Sequence, residues 1–288
     1  MKSRDEKTYE DRKSSDVRIH RTTSPDGTEI AGRVVGQGPP LVLLHGSLYC
    51  GETAWEALLP HLTGRFTCLL PSVRGRGLSA HSEDVTRERM FEDMVAFIDS
   101  IGQAVPVFGW SGGASAALGA AEVSDAVSAV AAYEPGVLEV IDEETLSDIG
   151  DMVARARVKV ERGRAAEAAL LFSAFACNDE ELAAVVAQGR NEITAPNVAT
   201  DLRYYENVDL TRPTPTSPDA LATIDVPVLV LQGEKTALAT WMDRGTSHVA
   251  EHVRDAEVRT VPGAGHSAPN FAPEALAAEI VRFLDTLR

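Results

Sequence analysis

Short, uninterrupted apolar runs constrain this chain most. Leu41-Val42-Leu43-Leu44, Val105-Pro106-Val107-Phe108 and the segments 66–70, 127–133 and 226–231 are strand-length and apolar at nearly every position. Such a run must be covered on both faces, so it reads as a central strand sandwiched between helices. Helical patterns lie between the runs. One spans 53–62; a second spans 87–101, with Met90, Met94, Phe97 and Ile98 on its apolar side; a third, 114–123, is mostly Ala, Gly and Ser. Two further strands, 17–23 and 29–35, flank the turn Ser24-Pro25-Asp26-Gly27. A helix over 239–252, a strand over 257–261 and a closing amphipathic helix over 273–287 complete the pattern. Eight strands alternating with helices predict an α/β chain with a mostly parallel, doubly wound sheet.

Between residues 137 and 222 the character changes. Two or three Ala/Glu/Arg-rich helical stretches appear without a buried-strand run between them. The stretch closes on Thr211-Arg212-Pro213-Thr214-Pro215-Thr216-Ser217-Pro218, too rich in proline for regular structure. The expected organisation is a flexible tail over 1–16, a core formed by 17–136 and 223–288, and a helical lid over 137–222. A helical insertion in such a core belongs over the carboxyl edge of the sheet, where ligands bind.

Composition then excludes partners. The chain carries 27 Lys and Arg against 43 Asp and Glu, a formal charge of −16. That surplus repels phosphate backbones and anionic lipid surfaces, so neither nucleic acid nor membrane is an expected partner. Residues 1–16 are a mixed-charge run unlike a secretory signal, and every apolar run falls far short of the ~20 residues of a membrane helix. Cys50, Cys68 and Cys177 have no motif spacing and read as reduced, buried fillers. A cytoplasmic, reducing location is the expectation.

Gly109-Trp110-Ser111-Gly112-Gly113 carries the chemistry. It matches G-x-S-x-G between a predicted strand and a predicted helix, the context of a nucleophile elbow. A serine on so sharp a turn projects above the sheet, and small neighbours let strand and helix approach. The helix N-terminus beneath supplies free N–H groups to a developing oxyanion. His266, in Gly263-Ala264-Gly265-His266-Ser267, follows the last strand and can serve as the base that a serine nucleophile needs. His248 and His252, four residues apart on a helix, have no third ligand in view and read as a solvated face.

With these residues in place, the chain resembles the α/β-hydrolase fold superfamily over about residues 17–287. The resemblance rests on His45-Gly46 after the third strand, Arg74-Gly75-Arg76-Gly77-Leu78-Ser79 after the fourth, the elbow, the insertion and Gly265-His266. It implies that the backbone N–H groups of Ser47 and Gly112 form an oxyanion hole, and that Trp110 and Leu48 line the substrate pocket. It implies no metal and no organic cofactor. The acid of the triad departs from the common pattern. Where most members carry an aspartate after the seventh strand, this chain reads Gly233-Glu234-Lys235-Thr236. A smaller set places the acid after the sixth strand, here Tyr133-Glu134-Pro135, and a fungal lactonase that opens a resorcylic macrolactone is similar in this respect. Glu134 is the favoured acid and Glu234 the alternative; an ion pair of Glu134 with Arg74 is the structural reading. Ser72 stands where an aspartate is common and is expected to loosen its loop. The basic run Arg155, Arg157, Lys159, Arg162 and Arg164 reads as a solvated helix face.

The implied activity is hydrolysis of an apolar carboxylic ester or lactone through an acyl-enzyme on a Ser-His-Glu triad. C–C bond hydrolysis, perhydrolysis, and biosynthetic acyl transfer or cyclisation stay open on the same framework. So does a non-catalytic small-molecule receptor.

Overall fold

The computed structural model describes residues 18–287, so the tail expected over 1–16 lies outside the described residues. The eight expected strands form one sheet: β1 (Arg18–Thr23), β2 (Glu29–Gly36), β3 (Pro40–Leu44), β4 (Thr67–Pro71), β5 (Val105–Trp110), β6 (Val127–Tyr133), β7 (Val228–Gly233) and β8 (Ala256–Val261). Their order is β1-β2-β4-β3-β5-β6-β7-β8. The β1–β2 and β2–β4 pairs are antiparallel, and every later pair is parallel. The uninterrupted runs of β3, β5, β6 and β7 occupy the centre, where both faces are covered. Leu43, Phe108 and Leu231 face one apolar layer, and Val42, Val107 and Val130 face the other.

Helices of the core are α1 (Leu59–Leu62), α2 (Arg87–Asp99) and α3 (Gly112–Val123). The helix expected over 53–62 shrinks to α1, because Pro60 has no N–H and is tolerated only in a first turn. The β6–β7 connection contains more than the two or three helices expected. It runs through α4 (Glu143–Glu161), α5 (Ala165–Ala176), α6 (Asp179–Ala187), α7 (Arg190–Thr194), α8 (Val198–Glu206) and α9 (Pro218–Thr223), with no strand among them. Capping explains the extra breaks. Asn178 and Glu181 form a reciprocal capping box that starts α6, and Gly189 adopts a left-handed conformation before α7. The proline-rich stretch stays irregular up to Pro218, which opens α9. Three helices close the chain: α10 (Ala239–His252), α11 (Ala268–Phe271) and α12 (Pro273–Thr286). Among the described residues, no helix is long and apolar enough to cross a membrane.

Ser72 does not loosen its loop. It is buried; its hydroxyl accepts from Gly51 N (2.9 Å) and donates to Glu52 Oε2 (2.8 Å), so a neutral hydroxyl and a borrowed carboxylate satisfy the turn. Arg74 is buried between Asp93 (2.7 Å) and Asp26 (2.6 Å), and so does not pair with Glu134.

Candidate active site

Strand register assembles the site. Trp110 at the end of β5 pairs with Tyr133 at the end of β6, and Tyr133 pairs with Leu231 on β7. Beyond this rung, Ser111 N donates to Tyr133 O (2.9 Å) and Glu134 N donates to Leu231 O (2.8 Å). Ser111 and Glu134 therefore leave adjacent strands at one level. Both take left-handed backbone, φ 57° at Ser111 and φ 45° at Glu134. Side-chain-bearing residues hold such angles at a cost on the order of 1–3 kcal/mol each, which the surrounding packing must offset. At the elbow the need for small neighbours is direct. A Cβ on Gly109 would lie 2.3 Å from Gly113 O, and one on Gly113 would lie 2.1 Å from Leu44 O.

β7 pairs with β8 as far as Gly233 and Val261, which brings the loop after β8 to the same edge. His266 is buried there, and its Nδ1 lies 2.6 Å from Glu134 Oε2. Glu134 is fully buried, so each oxygen needs partners. Oε1 accepts from Gly233 N (2.8 Å), and Oε2 also accepts from the Thr236 hydroxyl (3.1 Å). Thr236, where most family members carry aspartate, thus supports the carboxylate on the neighbouring strand. Glu234 accepts from the exposed Gly263 N (2.7 Å), away from His266. Backbone anchors fix the histidine loop: the Trp110 indole donates to His266 O (2.8 Å) and the Tyr133 hydroxyl to Gly265 O.

The turn after β3 faces the elbow. The backbone N–H groups of Ser47 and Gly112 meet no protein acceptor among the described residues, and both residues line the cavity that holds Ser111. His45 only shapes this turn. Its Nδ1 donates to Gly46 O (2.8 Å), Nε2 accepts from Val73 N (3.3 Å), and burial pushes its pKa down to about 3, so it is neutral. Leu48, at φ 66°, is clamped from the insertion: its N–H donates to Asp201 Oδ2 (2.8 Å) and its C=O accepts from Asn197 Nδ2 (2.7 Å). Asp201 is buried and salt-bridged to Arg76 Nη2 (2.6 Å). Desolvation still raises its pKa, with the Arg76 charge opposing.

A second clamp holds the histidine loop. Glu181 is buried; its Oε1 accepts from Ser267 N (2.9 Å), and Asn178 Nδ2 donates to Lys235 O (2.9 Å). Burial raises the pKa of Glu181, and the nearby His266 opposes that rise. The sequence reading did not find Glu181, Asn197 or Asp201, and it quoted Arg76 only as part of a loop motif, with no role at the site. Asn178-x-x-Glu181 carries a capping-box signature, but nothing in its spacing points across to residue 267.

Ser111 lines two chambers. The larger, of about 340 Å³, lies against Gly112, Ala116, Met90, Phe91, Leu138 and Tyr204. Arg76 and Arg87 also line it, and each keeps one buried guanidinium N–H without a partner. The smaller, of about 90 Å³, lies against Leu48, Trp110, Glu134, Phe172, Cys177 and His266. Trp110 and Leu48 are thus both wall residues and core residues. All three cysteines are free and buried. Among the described residues, no group of three or more His, Cys, Asp or Glu is placed to hold a metal, and the rings of His248 and His252 meet at a tilt of 42°. In the basic run, Arg157 pairs with Glu206, while Lys159 and Arg164 both pair with Glu167.

Residues 41–279 match the model of the alpha/beta hydrolase family. The chain belongs to that family. It is an enzyme of the hydrolase class, on an eight-stranded sheet as the sequence implied. A pimeloyl-[acyl-carrier protein] methyl ester esterase of Xanthomonas campestris pv. campestris is 29% identical over 266 residues, 88% of this chain and 98% of that protein. An alpha/beta hydrolase from Sphaerobacter thermophilus is 28% identical, with a TM-score of 0.73 over 92% of this chain and all of that one. A thermophilic esterase from Thermogutta terrifontis, 21% identical with a TM-score of 0.73 over 93% of this chain and 98% of that one, shares the fold.

Proposed function

We propose that the protein is a serine hydrolase of small-molecule carboxylic esters, acting through Ser111, His266 and Glu134. One observation carries the reading: the 2.6 Å contact between Glu134 Oε2 and His266 Nδ1, in a chamber that also contains Ser111. With Nδ1–H directed at Glu134, Nε2 is free to act as a base. Ser111 Oγ bonds to the acyl carbon as its proton passes to His266 Nε2. The Ser47 and Gly112 N–H groups receive the negative charge on the carbonyl oxygen. Collapse breaks the bond to the alkoxy oxygen, which leaves with the proton from Nε2. Water, deprotonated by His266, then releases the acid and regenerates Ser111. Glu134 keeps its charge throughout and stabilises the imidazolium. Residues 137–222 act in this reading as a lid that closes over the chambers.

The relative from Xanthomonas campestris, a methyl ester esterase by name, supports ester over C–C chemistry. The receptor alternative drew on the missing aspartate after the seventh strand, a role that Glu134 takes here. A fluorophosphonate is expected to add one equivalent of mass to the wild type and none to Ser111→Ala. Glu134→Ala is expected to lose a factor on the order of 10³ or more in kcat, while Glu234→Ala stays near wild type. An unlabelled wild type, or the reverse order of the two glutamates, refutes the assignment.

A further inference from the structure

The two chambers differ in size and in which catalytic groups they hold. We infer that the smaller chamber takes the leaving alcohol and the larger one the acyl chain, so that the preferred substrates are esters of a long apolar acid with a short alcohol. This rests on the ester-hydrolase reading above and gives it a direction.

The direction follows from proton traffic. In acyl transfer the histidine that deprotonates the serine must also protonate the alkoxy oxygen as it departs. The alkoxy group therefore sits on the histidine's side of the nucleophile. His266, Ser267 and Glu134 line the small chamber and do not line the large one. Gly112, whose N–H serves the oxyanion in the reading above, lines only the large chamber. Ser111 and Ser47 line both, as residues at the junction must.

Size then decides what each side accepts. On one measure the small chamber holds about 90 Å³ against about 340 Å³ for the large one, so it takes the shorter half of the ester. Its walls Tyr49, Trp110, Met152, Phe172 and Cys177 are all buried, and expanding a packed wall is costly. The 340 Å³ chamber falls within the range of pockets for drug-sized ligands. Its side chains Met90, Phe91, Met94, Leu138, Ile141 and Val153 suit an alkyl chain. A macrolactone fits this division poorly, because its alcohol end is as bulky as its acyl end.

Two isomeric esters test the inference with wild-type protein. Methyl octanoate and heptyl acetate contain the same atoms and have similar intrinsic reactivity, but present the long chain on opposite sides of the scissile bond. Methyl octanoate is expected to have the higher kcat/KM by about 10²-fold. Equal rates, or a preference for heptyl acetate or a macrolactone, overturn the chamber assignment while leaving the triad in place. If neither ester is cleaved and the fluorophosphonate still labels Ser111, the assignment fails alone; without labelling, the esterase reading falls with it. Two variants move the profile in opposite ways. Phe172→Ala is expected to raise the butyl-to-methyl octanoate rate ratio by tenfold or more. Ala116→Phe is expected to lower the methyl octanoate-to-methyl acetate ratio by a similar factor. Should Phe172→Ala fail to fold, Phe172→Leu gives a smaller shift of the same sign. Unmoved ratios in folded variants contradict the assignment.

Discussion

The sheet edge and the helical insertion reach the same site by different physics. At the edge, strand register does the work. β5 and β6 end level, so Ser111 and Glu134 emerge side by side, while β7 runs two residues further to Gly233 and His266 arrives on the loop after β8. These positions are fixed by ladder hydrogen bonds and a core covered on both faces. The insertion has no ladder to the sheet. It is tied down near the site by a few polar contacts: the buried bonds of Asn197 and Asp201 to Leu48 and of Glu181 to the loop that carries His266, and an exposed bond from Asn178 to Lys235. The edge therefore positions the proposed reacting groups, while the insertion holds the loops beside them. Long-range order from a sheet is generic, whereas a buried side-chain clamp depends on single residues.

That contrast can be broken at its strongest point first. Glu134→Gln should cost about 10³-fold in kcat, since a neutral amide cannot stabilise the imidazolium. Adding Thr236→Asp to that variant should recover at least about tenfold, because the Thr236 hydroxyl already lies 3.1 Å from the same carboxylate oxygen. Absence of recovery in a folded double variant would mean that only the β6 position can aim a carboxylate at His266.

Asp201→Ala comes next, with an expected loss of about 10- to 100-fold in kcat. It unpins Leu48 N, adjacent to the Ser47 N–H, and strands the buried Arg76 charge. Asp201→Asn should recover part of this loss, since its side-chain oxygen can still accept from Leu48. Equal damage in both variants would show that the charge pair with Arg76 matters more than the hydrogen bond.

Glu181→Gln should change rate less than pH dependence. Glu134 and Glu181 are the carboxylates near His266, and the phenol of Tyr133 stays neutral because burial raises its pKa well above the usual value. Removing one negative charge disfavours the imidazolium, so the acid limb of kcat/KM should move to lower pH, by about half a unit. A role confined to bracing the loop would lower kcat and leave the limb in place.

The smallest effect is on stability. His45 has its pKa depressed to about 3 by desolvation first and by the Arg76 charge second. Its folded value lies below the ordinary 6.5, so unfolding binds a proton between these limits. The stabilisation is complete above about pH 6.5 and drains as pH falls toward 3. Glu181 and Asp201, with raised values, oppose this slope. The check is a comparison of urea unfolding at pH 7 and pH 5 for wild type and His45→Asn, which should show a flatter dependence.

The sequence by itself determined the sheet, its parallel character, the elbow and the histidine loop. Each is written locally: in an apolar run, a strand-to-helix turn of small residues, or glycines beside a histidine. It also marked Glu134 as a carboxylate before a proline at a strand end, without showing which glutamate His266 would meet. Local signals misjudged three things. Pro60 cut short the expected helix over 53–62. Caps divided the insertion into more helices than periodicity suggested. Ser72, read as a loosened loop, found Glu52 instead. Tertiary structure alone decided that Thr236 supports Glu134, that Glu181, Asn197 and Asp201 clamp two loops, and that Ser111 lies between unequal chambers. These contacts join residues about 90 to 150 positions apart. No periodicity links such residues; only the closed fold brings them within hydrogen-bond reach.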